Sequence, residues 1–217
     1  DGSIPLMYVH TRNQYYIQNN IDVTVLNFSA NQKYVYDGIP VITLKDYVEN
    51  KGETYDILVC HAPNIRNHYQ FLKKHEKEFP KIVFFFHGHE VVRINKIYPK
   101  PFRYYKKSRL RRIMQDLYDT VKLKLWHDYF PTIAYKSFFV FVSEWMFNEF
   151  FKWTKIKKEL LSDKYAIIHN GVGKVFEIKS YDLKCNKVYD FITIRSFLDG
   201  SKYCIDLINE MAKNNPF

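Results

Sequence analysis

Cysteine is scarce in this sequence: three in 217 residues, Cys60, Cys185 and Cys204, far apart and with no C-x-x-C pair. That excludes a disulfide framework and a cysteine-built zinc site, and leaves the three as small buried hydrophobes. Long apolar runs are missing too. None approaches the roughly 20 residues that a bilayer-spanning helix needs, and the opening DGSIPLMYVH has neither the basic start nor the apolar core of a signal peptide. The chain is therefore expected to be soluble and cytoplasmic. No internal repeat and no low-complexity linker breaks it up, so it reads as one domain, or one domain with part of another. Acid is the scarcer charge, 23 Asp and Glu against 33 Lys and Arg, which gives a formal net charge of +10. Such an excess suits an anionic partner: nucleic acid, a lipid surface or a phosphorylated substrate. A chain this rich in Lys, Asn, Ile, Tyr and Phe can owe part of the excess to codon bias, so local clustering carries more weight than the total.

What is present is a rhythm of short apolar runs: IDVTVLNF (21–28), YDILVCHA (55–62), KIVFFFHG (81–88), SFFVFVS (137–143), KYAIIHNG (164–171) and YDFITIRSF (189–197). Nearly continuous apolar blocks are how strands read when helices cover both faces of a parallel sheet. Helices are predicted between them, over 67–79 with Tyr69, Leu72 and Phe79, and over 144–153 behind Ser143 as N-cap. The alternation predicts an α/β fold with a doubly wound, mostly parallel sheet. Asp37-Gly38 between apolar residues predicts a hairpin or a turn into another strand. From Ser108 onward Leu110, Ile113, Met114, Leu117, Val121 and Leu125 recur at helical spacing, so a loop leads into an amphipathic helix. The polar stretch 178–187 is the expected domain boundary.

Ligands of open α/β sheets bind beyond the carboxyl ends of the strands. Three polar clusters are predicted there: His87-Gly88-His89-Glu90, Ser143-Glu144 and His169-Asn170-Gly171. Each has an ordinary alternative. Glu90 can simply open the next segment, Ser143 can be only a helix cap, and Asn170-Gly171 can be only a turn. His87 and His89 could also serve a metal-dependent hydrolase, but a metal site needs a third and fourth ligand in fixed geometry. Cys60-His61 and His169-Asn170 supply only scattered candidates, so no metal is expected. A second cluster is basic. Between Arg93 and Arg112 lie nine Lys or Arg and no acid, among them Arg93, Lys96, Arg103, Lys106, Lys107, Arg109, Arg111 and Arg112, interleaved with Tyr98, Phe102, Tyr104 and Tyr105. The run is either a solvated face or a surface for an anionic membrane or acceptor. A non-catalytic module binding an anionic surface through residues 93–112 would use it as well. No nucleic-acid module accompanies it, so nucleic acid is not an expected partner.

Taken in order, FFFHGHE, FVFVSEW, AIIHNGVGKVF and FITIRSFLDGSKYCIDLINEMAKNNP resemble the motifs of the retaining glycosyltransferases of the GT-B fold, the large group 1 or family 4 type. The resemblance implies a Rossmann-like, acceptor-side domain over residues 1–180 and, over 187–217, the first strand and helix of an incomplete donor-side domain, so that this piece alone would be inactive. It implies transfer of a sugar from a nucleotide-sugar donor to a glycan or lipid-linked acceptor, without a cofactor, in surface polysaccharide or glycolipid synthesis, peripheral to a membrane. By the same resemblance His87 stands close to the reacting sugar, with His89, Glu90, Ser143, Glu144, Asn170 and Gly171 around the substrates. Arg195 and Lys202 would grip the donor diphosphate.

Overall fold

A computed structural model describes residues 7–50, 52–98, 108–171, 184, 186 and 205–214. Its centre is set by four short apolar runs that form parallel strands: β4 (Ile57–His61), β5 (Lys81–Phe86), β6 (Ser137–Phe141) and β7 (Tyr165–Ile167), hydrogen-bonded in that order. Each step is parallel, with Ile57 beside Lys81, Ile82 beside Ser137 and Phe139 beside Tyr165. A parallel step needs a crossover, and helices supply it: α3 (His68–His75) between β4 and β5, α5 (Arg109–Ile133) between β5 and β6, and α6 (Glu144–Thr154) between β6 and β7. The short α4 (Ile94–Ile97) precedes α5. Right-handed crossovers that always step the same way put their helices on one face of the sheet. The core agrees. Cys60, Ile82, Phe84, Phe86, Phe139 and Phe141 share one cluster with Phe71 and Leu72 of α3, Trp126 and Phe130 of α5, and Met146 and Phe150 of α6. Trp126 stacks on Phe130 with ring centroids 4.5 Å apart.

Phe85 and Val140 are buried as well, and alternation along their strands places them on the other face. There the first helix, α1 (Met7–Gln18), lays Arg12 over the Phe85 ring, with the guanidinium carbon 4.4 Å from the ring centre. The central strands are thus covered on both sides near their carboxyl ends, which explains their uninterrupted apolar sequence. The edge strands β4 and β7 leave Ile57, Val59 and Tyr165 exposed.

The run 21–28 does not join this sheet. Only Val25–Leu26 forms a strand, β1, in a second, three-stranded sheet of order β1-β3-β2 with β2 (Tyr34–Tyr36) and β3 (Ile39–Ile42). β1 is parallel to β3, β2 is antiparallel to it, and the short α2 (Leu44–Glu49) follows β3. Asp37 and Gly38 turn the β2–β3 hairpin with φ of 46° and 78°, the left-handed pair that a two-residue turn requires. The fold is therefore α/β with a four-stranded, all-parallel sheet flanked by helices, compatible with a Rossmann-like architecture. It is not one continuous sheet as the sequence rhythm predicts. A last helix, α7 (Ile205–Asn214), is described, while the predicted strand over 189–197 and most of the predicted boundary over 178–187 lie outside the described residues. Cys60 is buried, as expected, and free among the described residues; Cys185 and Cys204 also lie outside. No helix among the described residues is long and apolar enough to cross a membrane.

Candidate functional site

Because β4, β5, β6 and β7 run side by side in the same direction, their carboxyl ends form one edge, and the three polar clusters stand along it. Backbone bonds carry the pairing just past the strands: Val142 N–H donates to Phe86 O at 3.3 Å and Ile168 N–H to Phe141 O at 2.9 Å. The His169 ring, through Nδ1, bonds Val142 O at 3.0 Å.

The centre of this edge is a pair of imidazoles. His61 ends β4 as His87 follows β5, and their rings meet through His61 Nδ1 and His87 Nε2 at 3.4 Å. His61 lies flat on Phe85, centroids 4.6 Å apart, and Tyr8 of α1 covers His87 at 4.2 Å. Burial disfavours a charge on either ring. The His61 pKa falls to about 3, with the His87 ring and then Arg12 adding to the effect of burial. That of His87 falls to about 4, through burial and then Arg12. Both are neutral at pH 7. The outer nitrogens, His61 Nε2 and His87 Nδ1, are buried without a hydrogen-bond partner among the described residues, and so is Arg12 Nε.

A neutral imidazole has one N–H and one bare nitrogen. If His61 donates to His87 across the shared contact, His87 Nδ1 is left as a donor and His61 Nε2 as an acceptor; if His87 donates, the two roles exchange. In either tautomer the two outer nitrogens comprise one donor and one acceptor, facing away from the shared contact. Arg12 Nε adds a second donor.

The loop behind His87 is held by buried charge. The Glu90 carboxylate turns back to accept from the backbone N–H of Gly88 at 2.6 Å and of His87 at 3.2 Å. Burial raises the Glu90 pKa, while its backbone hydrogen bonds and Lys122 pull the other way. Lys122 is only 3 % exposed and donates to His89 O at 3.0 Å, to Val92 O at 2.8 Å and to Asp119 at 2.7 Å. Asp119, fully buried, also accepts from Ile94 N–H at 2.8 Å and from Gln115 at 3.0 Å. So Glu90 is neither a simple opener of the next segment nor an open wall of a pocket: it shapes the turn that carries His87. Glu90→Ala is expected to cost about 1–2 kcal/mol by leaving two part-buried N–H groups unpaired, and Glu90→Gln less, because the amide oxygen still accepts; urea unfolding of the two variants checks the order.

The other sequence candidates divide. Ser143 is a helix cap: its hydroxyl accepts from Met146 N–H at 3.1 Å, while Glu144, Asn170 and Gly171 are exposed on the same edge. His89 faces the α4 side, where its ring bonds the Tyr98 hydroxyl, so it is not a partner in the imidazole pair. Arg93 is half-buried and lines a groove between α5 and α6, and Lys96, Arg109, Arg111 and Arg112 are exposed. Arg103, Lys106, Lys107, Arg195 and Lys202 lie outside the described residues. Among the described residues no three His, Cys, Asp or Glu side chains come together as a group able to hold a metal ion. Three members of the site, Tyr8, Arg12 and the paired role of His61, are not evident from sequence spacing. The one available signal is that His61 and His87 both stand at the carboxyl end of an apolar run, which in a parallel sheet makes them neighbours. No family model, curated protein or solved structure matches the chain.

Proposed function

We propose that this chain is the acceptor-side domain of a retaining glycosyltransferase of the GT-B type, which moves a sugar from a nucleotide-sugar donor to a glycan or lipid-linked acceptor at the cytoplasmic face of a membrane, in polysaccharide or glycolipid synthesis. The observation that carries the reading is the imidazole pair. His61 and His87, at 3.4 Å, offer one donor and one acceptor from buried, otherwise unpartnered nitrogens, and a sugar is a ring of hydroxyls that need both. Such a site discriminates strongly, because its polar atoms stay unpaired if the wrong ligand enters. His87 is too weak a base at neutral pH to remove a proton efficiently, with a pKa near 4. Its contribution is to hold a hydroxyl in the attacking or reacting geometry, with the gain coming from orientation rather than proton transfer.

In this reading residues 1–180 supply the acceptor side, and Arg195 and Lys202 neutralise the charge that develops on the leaving diphosphate. The test is release of nucleoside diphosphate by the full-length protein across a panel of nucleotide-sugars. Turnover with one donor is expected, reduced about 10- to 100-fold by His87→Ala through loss of the hydroxyl contact. No turnover across the panel, or wild-type turnover by His87→Ala, overturns the reading.

A further inference from the structure

Arg12 is a cation without an anion. It projects from the middle of α1 onto Phe85, the ring on which His61 also lies. Its Nε is buried with no acceptor, and among the described residues no hydrogen bond or ion pair reaches the rest of its guanidinium. An arginine carries five N–H donors and does not lose its charge in a protein. Burying such donors unpaired is costly, which is why most find an acceptor. Two carboxylates stand near α1, and both are committed elsewhere. Glu90 is turned to the backbone N–H groups of His87 and Gly88, with Lys122 as the cation that acts on it. Asp37 is bonded to His10 at 3.0 Å.

The helix holds Arg12 in place from both sides. Tyr8 and Arg12 are one turn apart, on the face of α1 that meets the strand ends, where Tyr8 covers His87. His10 and Gln14 follow each of them by two residues, about 200° round the helix. They grip the β2–β3 turn through the carboxylate and the carbonyl of Asp37, both at 3.0 Å. Tethered from behind, α1 presents the guanidinium at one point of the edge. Its charge is felt at both imidazoles, where it adds to burial in keeping them neutral. The wall of the site is therefore a neutral donor–acceptor pair beside one uncompensated positive charge.

We infer that the acceptor received at this edge is an acidic sugar, with Arg12 binding its carboxylate or phosphate group while His61 and His87 contact its hydroxyls. This rests on the sugar-transfer reading and adds to it the class of acceptor. A planar guanidinium meets either anion with two parallel N–H bonds, and such charge-assisted pairs are roughly twice as strong as bonds between neutral groups. A neutral sugar would leave the charge unmet in a half-buried setting, and a site whose polar groups stay unpaired rejects the ligand that leaves them so. The donor diphosphate is a poorer occupant, because it brings more than one negative charge to a wall that offers a single cation.

The test is ligand-observed NMR on the full-length protein with the methyl glycosides of glucose, galactose and mannose, each set against its uronate and its 6-phosphate, which differ from it only at carbon 6. At least one uronate or 6-phosphate is expected to bind about tenfold more tightly than its neutral counterpart, and which of the two does so tells carboxylate from phosphate. Arg12→Gln should shrink that preference to about twofold or less. Arg12→Lys should leave an intermediate preference, since it keeps the charge and loses the fork; it reads the same contact should Arg12→Gln prove unstable. Acidic sugars that bind the wild type no better than neutral ones overturn the inference, and so does a preference that Arg12→Gln retains at unchanged Tm. The two readings fail separately. His87-dependent release of nucleoside diphosphate with neutral acceptors alone would keep sugar transfer and sink the acidic acceptor, whereas Arg12-dependent binding of an acidic sugar by a protein that turns over no nucleotide-sugar would do the reverse.

Discussion

Asp119→Ala is expected to lower the unfolding free energy by about 3–5 kcal/mol, the usual cost of removing one partner from a buried ion pair, and the melting temperature by roughly 10 °C. The cost arises because the substitution strands several groups at once. Lys122, 3 % exposed, loses the carboxylate it bonds, while Ile94 N–H and the Gln115 amide lose their acceptor. Asp119→Asn separates these effects, since its amide oxygen can still accept from Ile94 while the charge is gone. Burial already lowers the Lys122 pKa, with Asp119 and Glu90 opposing that shift; without the Asp119 charge it falls further. A lysine whose folded pKa lies below its unfolded value binds fewer protons when folded, so stability rises with pH between the two values. In the wild type that window lies below 10.5. In Asp119→Asn it should extend towards neutrality, so the urea midpoint of the variant should climb as pH is raised from 7 to 10 while the wild type changes less. A variant with wild-type stability would show that the loop over His87–Glu90 does not depend on this pair.

That pair also marks where sequence reading stops. The apolar spacing of Leu110, Ile113, Met114, Leu117 and Val121 announces a helix, and α5 spans Arg109–Ile133. Periodicity predicts that a stripe exists but not which way it faces. Here the face that packs inward carries Asp119 and Lys122, which any hydropathy pattern assigns to solvent, and the apolar stripe faces out. The parallel strands were legible because Phe84, Phe86, Phe139 and Phe141 must be covered on one side and Phe85 and Val140 on the other. The short β1 was not: Asp22, Thr24 and Asn27 interrupt its run, and only Val25–Leu26 pair. His87 could be singled out from its place after a strand. Its partner His61 shares that place, but their pairing rests on strand order, and Tyr8 and Arg12 are joined to them only by the seating of α1, which leaves no local signature in the sequence.

Acid should unfold this protein early, with stability falling steeply as pH drops from 7 towards 4. Burial holds three histidines neutral: His61 titrates at about 3, His68 at about 4 and His87 at about 4, against 6.5 when solvated. Burial lowers the His68 pKa, and its hydrogen bonds are those of a neutral ring. Its Nδ1 faces the Asn64 side-chain nitrogen at 3.1 Å and accepts from the Asn64 backbone N–H at 3.4 Å, and a proton on that nitrogen would remove the acceptor. A pKa depressed on folding means that the unfolded chain binds more protons between the two values, so each such group contributes stability that is present above 6.5 and lost as pH falls towards the folded pKa. Glu90 has the opposite sign: its raised folded pKa makes the native state the better proton acceptor above 4.5, which adds stability as pH falls there. One carboxyl offsets one imidazole at most. His61 and His68, the two most deeply buried, outnumber it, and each unbalanced proton is worth about 1.4 kcal/mol per pH unit. Urea midpoints measured at half-unit steps should therefore decline from pH 7 to 4.5, and His68→Gln should flatten the decline by roughly one proton. A midpoint constant over that range would mean that these imidazoles are already hydrated in the native state, and the donor–acceptor pair of His61 and His87 would lose the dry setting that lets it select a hydroxyl.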